Sequence, residues 1–297
     1  EFDVFVEKEV AKIAQYKDDP YLVGYFTDNE IPWKNDALDR HLNLLAKDEA
    51  AYLAVKKWFD SRKGHDAQPS EITQEDRDAF LAFYVDTYLS KVFKALRQID
   101  TNHLYLGCRF NQHKEELVSK AVFEVAGRYM DVISINHYQK WQPDAEQMAS
   151  WTAWSGKPFL ITEFYTKGED SGLPNNTGAG WNVHTQADRG WFYQNFTMEL
   201  LKSKCCIGWH WFKYMDNDPQ NLKTDESNRD SNKGVVKWNF EPYTVLLDEM
   251  KQLNDNVWSL IKYFDKQLWC TCAAVNDTTQ LFAFDEQNSR LLKVSNL

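Results

Sequence analysis

Short apolar runs alternate along the chain with longer amphipathic segments, the pattern of parallel strands joined by crossover helices. Five runs read as strands: Tyr21 to Asn29 (YLVGYFTDN), His103 to Asn111 (HLYLGCRFN), Asp131 to Tyr138 (DVISINHY), Lys157 to Phe164 (KPFLITEF) and Cys206 to Tyr214 (CIGWHWFKY). Helical periodicity fills the gaps, over Phe2 to Tyr16, Leu38 to Phe59, Glu75 to Ile99, Lys114 to Ala126, Ala145 to Trp154, Thr185 to Lys202 and Tyr243 to Tyr263. Each strand enters apolar and leaves polar, through Asp28-Asn29-Glu30, Arg109 to Asn111, Asn136-His137-Tyr138, Glu163 and His210-Trp211. A parallel barrel or open α/β sheet carries its active site at that end of the strands.

Between these elements, Asp60 to Thr73 reads as a polar surface insertion marked by Gly64 and Pro69. Tyr165 to Asn182 is a long glycine-rich loop of the kind that binds substrate above a barrel. Met215 to Gly234, dense in Asp and Asn, reads as a solvated loop, with a structural cation near Asp216 and Asp218 as its one metal reading. From Trp269 the chain changes to short alternating segments with a turn near Gln287 and Asn288, which predicts a β-hairpin. The expected organisation is a main domain over 1–265 and a C-terminal appendage over 266–297.

Composition narrows the function. The formal charge of -10, from 34 Lys+Arg against 44 Asp+Glu, comes with no basic cluster that would track a phosphate backbone, so nucleic acid is not an expected partner. No run approaches the ~18 apolar residues of a membrane span, and the opening residues are periodic like a helix rather than a signal peptide. The cysteines (Cys108, Cys205, Cys206, Cys270, Cys272) have no zinc-like spacing, and the histidines are scattered, so neither a metal nor a cofactor is expected. Nucleotide-binding, serine-hydrolase and zinc-protease motifs do not occur. Twelve Trp, within 15% aromatic residues, supply flat apolar faces with polar edges, which suit sugars and equally fill a large core.

Glu30 and Glu163 each follow an apolar strand directly, and only a fold that gathers strand ends would bring them together. Paired carboxylates on one rim are the apparatus of glycosidic cleavage: one donates a proton to the leaving oxygen, while the other attacks the anomeric carbon or activates water. A lone strand-end glutamate is more often a cap or an ion-pair partner.

The residues resemble a known family. GYFTDNE is similar to the fourth strand of the retaining glycoside hydrolases of clan A, which ends in Asn-Glu, and FLITEF to the seventh, which ends in the nucleophile. VISINHY looks like the sixth strand and GWHWFKYMDND like the eighth. More narrowly, DDPYLVGYFTDNEIPW, HLYLGCRFN, TQADRGWFYQNF and GWHWFKY resemble β-agarases and related β-galactan hydrolases, over about Phe2 to Asp265. The resemblance implies a (β/α)8 TIM barrel entered at strand four, lacking its first three βα units in this chain. It also implies Glu30 as acid/base and Glu163 as nucleophile, with carboxyl groups ~5 to 5.5 Å apart. Asn29 would bind the sugar 2-hydroxyl, Tyr138 would orient Glu163, and Trp211 and Trp209 would stack under the ring. Trp33, Arg109, Asn136, His137 and His210 complete the implied substrate-binding set. The implied partner is a β-galactan, met by a secreted, periplasmic or cell-surface bacterial enzyme; oligomeric state is not legible. Two alternatives stand beside this reading: another clan A β-glycosidase such as an exo-β-galactosidase, and a non-catalytic carbohydrate-binding scaffold.

Overall fold

The computed structural model of the chain describes residues 2–111, 119–221, 223–224 and 226–266, together with the backbone of 281–285 and 290–294. It shows an α/β chain in two compact units, Glu1–Ser134 with Trp154–Lys157, and Ile135–Ala153 with Pro158–Leu297. Among the described residues no helix is long and apolar enough to cross a membrane.

The N-terminal unit opens with α1 (Phe2–Val10), which tightens into a 3-10 turn over Ala11–Tyr16 where a single helix was expected. β1 (Gly24–Phe26) follows, then α2 (Ala37–Leu44) and α3 (Ala50–Lys63). These two replace the one helix expected from Leu38 to Phe59. The chain becomes extended at Leu45 (φ -84, ψ 151), and the Glu49 carboxylate accepts the Ala46 amide at 3.2 Å. No Gly or Pro marks that break, so periodicity reads through it. α3 stops at the left-handed Gly64, whose amide donates to the Asp60 carbonyl at 2.8 Å. α4 (Gln74–Ile99) starts at a Thr73–Asp76 capping box. Ala67, in the expected surface insertion, is fully buried with Leu38, Phe59 and Phe80 in a satellite core, so part of that segment is interior.

β2 (Leu104–Gly107) pairs parallel with β1, in register Gly24 to Leu104 and Tyr25 to Tyr105. A Cβ at Gly24 would stand 2.3 Å from the Leu104 carbonyl oxygen, so only glycine permits this approach. β3 (Phe110–Asn111) is separated from β2 by Cys108 and Arg109, and Arg109 is left-handed (φ 51), so the run read as one strand is two. α5 (Lys120–Tyr129) is capped by Ser119, and the earlier part of the helix expected from Lys114 lies outside the described residues.

The chain passes from one unit to the other within β4 (Ile133–Asn136). Then come α6 (Ala145–Ser155), β5 (Phe159–Glu163), β6 (Thr166–Gly168), β7 (Trp181–Val183), α7 (Gln186–Lys202) and β8 (Cys206–Trp209). β4, β5 and β8 lie in that order in one sheet, and β5 runs parallel to β8 with Phe159 opposite Cys206 and Ile161 opposite Trp209. β4 and β5 are buried at every position, as strands covered on both faces must be. β8 ends the sheet, and its Ile207 is exposed. Asn256 separates α8 (Thr244–Asp255) from α9 (Val257–Asp265), where one helix was expected; its side-chain amide donates to the Gln252 carbonyl at 2.8 Å. β9 (Leu281–Asp285) and β10 (Arg290–Val294) pair antiparallel, Leu281 opposite Val294, and the turn expected at Gln287 and Asn288 lies outside the described residues.

Both long loops are tied down by internal hydrogen bonds. β6 and β7 fold the glycine-rich loop into a parallel pair. The buried Lys167 donates to the carbonyls of Asn175, Thr177 and Gly178 at 3.0, 2.9 and 3.3 Å. In the Asp- and Asn-rich segment Asp216, Ser231, Asn232 and Lys233, at its two ends, are buried, while the described residues of its middle, among them Pro219, Gln220, Asn221, Lys223 and Glu226, are exposed as a solvated loop would have them. The Asp216 carboxylate accepts from the amides of Lys233 and Gly234, the Asn232 side chain and the Tyr243 hydroxyl. Its oxygens therefore face protein donors, and the richness in Asp and Asn serves internal hydrogen bonding.

Candidate active site

In the N-terminal unit β1 ends at Phe26, and the chain is carried beyond it by the Thr27 amide, which donates to the Gly107 carbonyl at 3.0 Å. Asp28 points to structure rather than solvent: Tyr88 donates to one carboxylate oxygen at 2.5 Å and Thr27 to the other at 2.8 Å. Asn29, next in line, is exposed. Glu30 is half-buried and left-handed (φ 57), a conformation that a non-glycine residue adopts only where its surroundings impose it. The imposing contacts run from its amide to the carbonyls of Cys108 and Arg109, at 3.1 and 3.2 Å. The Asn111 side-chain amide donates to the Glu30 carboxylate at 3.1 Å.

Two left-handed residues, Glu30 and Arg109, thus sit against each other at neighbouring strand ends. The Arg109 amide is held by the Ser134 hydroxyl at 2.9 Å, and its guanidinium lies 5.6 Å from the centre of the Phe26 ring. Trp33 is 1% exposed and packs edge-on against Tyr84 and Tyr88. A ring so enclosed cannot stack on a ligand; it supports Tyr88 and, through it, Asp28.

In the C-terminal unit Glu163 ends β5 at 6% exposure, and the Tyr138 hydroxyl donates to its carboxylate. The His137 amide donates to the Glu163 carbonyl at 2.7 Å, which fixes the backbone that carries the pair. Asn136 is fully buried and accepts from the Thr162 hydroxyl at 2.6 Å, a contact between β4 and β5. His137 is 1% exposed, with its ring 5.1 Å from Phe196 and 6.3 Å from Trp151. Neither ring nitrogen has a hydrogen-bond partner among the described residues. Burial pushes its pKa down to about 3, so the imidazole is neutral.

His210 is exposed, and its amide donates to the Ile161 carbonyl at 2.8 Å. Trp209 turns toward α7, donating to the Tyr193 hydroxyl at 2.7 Å. Trp211 is half-buried, donates to the Lys233 carbonyl at 2.8 Å and meets Phe164 edge-on at 5.4 Å. Behind it lies Arg189, fully buried, 5.4 Å from the ring centre. The Arg189 guanidinium donates to the Thr166 and Gly234 carbonyls at 2.9 and 3.0 Å and to the Gln186 side chain at 2.7 Å. One cation therefore ties both long loops to the back of Trp211. Burial lowers its pKa to about 10, which leaves it charged at neutral pH.

Sequence reasoning singled out neither Asn111 nor Arg189 as a site residue. Asn111 closes the HLYLGCRFN run and carried the signal of a polar strand end, whereas Arg189 sits in a helix with nothing local to mark it. Among the described residues no group of three or more His, Cys, Asp or Glu is arranged to hold a metal ion.

No protein-family model matches the chain. Its fold is that of solved glycoside hydrolases. An exo-β-agarase structure aligns with a TM-score of 0.75 at 24% identity, over 88% of this chain and 38% of that one. A β-galactosidase from the psychrophilic Marinomonas ef1 aligns at 0.55 and 12%, over 88% and 43%. Both likenesses are of fold alone. In sequence the chain is similar to β-agarase B of Vibrio sp. (strain JT0107), 30% identical over 281 residues, which cover 82% of this chain and 28% of that protein. It is also similar to BpGH50, whose crystal structure is 38% identical with a TM-score of 0.77, over 89% of this chain and 56% of that one. The resemblance is to β-agarase-like glycoside hydrolases in both sequence and fold, and the chain spans little more than a quarter of the length of β-agarase B.

Proposed function

We propose that the chain carries the catalytic residues of a retaining glycoside hydrolase that cleaves β-linked galactan such as agarose. The observation that carries this reading is the buried Glu163 at the end of β5 with the Tyr138 hydroxyl on its carboxylate, in a chain similar to β-agarase B. Glu163 attacks the anomeric carbon while Glu30 gives its proton to the departing glycosidic oxygen, leaving a glycosyl ester on Glu163. Glu30, now a carboxylate, takes a proton from water, and the resulting hydroxide opens the ester and frees the sugar. Tyr138 orients the nucleophile, Asn29 binds the 2-hydroxyl, Trp211 carries the sugar ring, and Arg109 and His210 bind substrate as well. Trp33, Asn136 and His137 are buried and support these residues from behind, while the half-buried Trp209 stands beside Trp211.

In this reading β1, β2, β4, β5 and β8 are strands four to eight of a (β/α)8 barrel, and the segment after Asp265 is an appendage to it. A polysaccharide too large to enter a cell places the reaction outside the cytoplasm.

Reducing-sugar release from agarose and from other β-linked galactans and glucans, by the chain and by Glu30→Gln and Glu163→Gln, tests the reading, with NMR of the first-formed anomer. Release from a galactan that both substitutions abolish, with the β-anomer first, is the expected result. The α-anomer would sink the retaining mechanism, and release of single sugars only would favour an exo-β-galactosidase. Binding without cleavage by the folded chain would favour a carbohydrate-binding scaffold.

A further inference from the structure

We propose that Trp141 is a second aromatic platform for the polysaccharide, binding a neutral sugar residue outward from the one on Trp211. This inference rests on the galactan-hydrolase reading of the same site. Trp141 follows β4 by five residues, at the end that also carries Tyr138. Between the two, Gln139 is left-handed (φ 55), so the chain turns sharply after the residue that holds Glu163.

Trp141 is 41% exposed, yet it is not a loose surface side chain. Its carbonyl accepts from the Asn195 side chain at 3.2 Å, and its ring meets Phe192 edge-on at 5.4 Å. Phe192 is 3% exposed and lies 6.2 Å from Trp211 and 6.1 Å from Phe164. Trp141, Phe192 and Trp211 thus form a ladder whose middle rung is buried and whose ends reach solvent. These distances keep Trp141 and Trp211 within roughly 12 Å of each other, a span that a few linked sugars cover.

With 41% of its surface exposed, Trp141 can offer a sugar both an indole N–H donor and the flat apolar surface that a sugar's C–H face covers. Lys140 and Gln142, both exposed, flank it with further donors. Exposure alone does not single out a tryptophan, because Trp258 on α9 is 74% exposed. What sets Trp141 apart is its anchoring to the ring stack that holds Trp211.

Calorimetric titration of galactan oligosaccharides two and six residues long, on a Glu163→Gln background that stops turnover, reads the inference directly. Trp141→Ala is expected to weaken the six-residue ligand about threefold to tenfold and to leave the two-residue ligand unchanged. Trp141→Phe restores part of the loss, and Trp258→Ala changes neither. Unchanged affinity for the longer ligand in Trp141→Ala, or an equal loss at both lengths, overturns the inference and leaves the hydrolase reading standing. If neither oligosaccharide binds the Glu163→Gln parent while that parent melts cooperatively, the galactan reading falls and the inference with it.

Discussion

Glu163 and Glu30 end strands of opposite character. β5 is buried at all five positions, and its glutamate is 6% exposed, set by the Tyr138 hydroxyl and by a backbone bonded to His137. β1 has three residues, two half-buried and one exposed, and its glutamate lies beyond it, half-buried on a left-handed backbone with an amide donor from Asn111. A strand covered on both faces holds a carboxylate in one place without local strain. A strand with one neighbour lacks that enclosure, and the position of Glu30 comes instead from two main-chain bonds that force φ positive. In the proposed mechanism this division is functional: the nucleophile must stay aimed, while the acid/base must hand a proton out and take one back.

The largest expected effect separates the two carboxylates by chemistry. Glu163→Gln should lower hydrolysis at least ~10⁴-fold on every substrate, since no covalent intermediate forms. Glu30→Gln should lose ~10² to 10⁴-fold on galactan but much less on an aryl galactoside, whose leaving group departs without a proton. Steady-state kinetics on both substrates check this, and equal losses by the two variants on the aryl substrate would erase the distinction.

The next effect is on stability against pH, where two buried histidines diverge. His137, unpartnered, is held neutral with its pKa lowered to about 3, so between its unfolded value near ~6.5 and about 3 the unfolded chain binds a proton that the folded chain refuses. Its contribution is complete above ~6.5 and falls by up to about 1.4 kcal/mol per pH unit as the pH drops. His103 goes the other way: the Asp100 carboxylate, 2.6 Å from its ring, raises its pKa. Its contribution is complete below ~6.5 and is lost as the pH rises through the raised value. Urea unfolding from pH 4 to 8 should show His137→Phe flattening the acid side and His103→Gln the neutral side. An unchanged acid slope in His137→Phe would mean that the ring is protonated in the folded chain.

Tyr138→Phe comes third. Losing a hydrogen bond to a charged group costs about 1.5 to 3 kcal/mol, so kcat should fall roughly tenfold to a hundredfold. The melting temperature should fall by no more than about ten degrees, because the ring keeps its edge contact with Tyr165, and a much larger fall would make Tyr138 structural.

The same contrast decides how much was legible in the sequence. DVISINHY and KPFLITEF appear as strands because continuous apolar runs are what two-sided burial selects, and β4 and β5 lie inside both. HLYLGCRFN reads as one strand because nothing in its letters says that Arg109 is left-handed; contacts to Glu30 and Ser134, distant in sequence, impose that. The breaks at Leu45 and Asn256 lack Gly and Pro, and so escape a periodicity argument. Trp33, Asn136 and His137 follow or end strands, as ligand-binding residues do, and the sequence does not reveal that all three are buried. The ends of Met215 to Gly234 depart from expectation for a related reason: Asp and Asn are polar wherever they occur, and only the Tyr243 hydroxyl and the amides of Lys233 and Gly234 reveal that Asp216 is an internal hub.

The smallest effect tests the strain itself. A left-handed conformation costs a residue with a Cβ roughly 1 to 2 kcal/mol, and glycine escapes that cost while adding chain entropy to the unfolded state of about 0.5 to 1 kcal/mol. Glu30→Gly should therefore raise stability slightly, by up to about 1 kcal/mol in urea unfolding, while it removes the proposed acid/base. Glu163→Gly, at the end of a buried strand with no positive φ to relieve, should lower stability instead. Opposite signs in the two variants would locate the strain at Glu30 rather than at Glu163. A loss of stability in both would mean that the hydrogen bond from Asn111 outweighs the backbone cost, and that Glu30 is held by its side chain rather than by the turn beneath it.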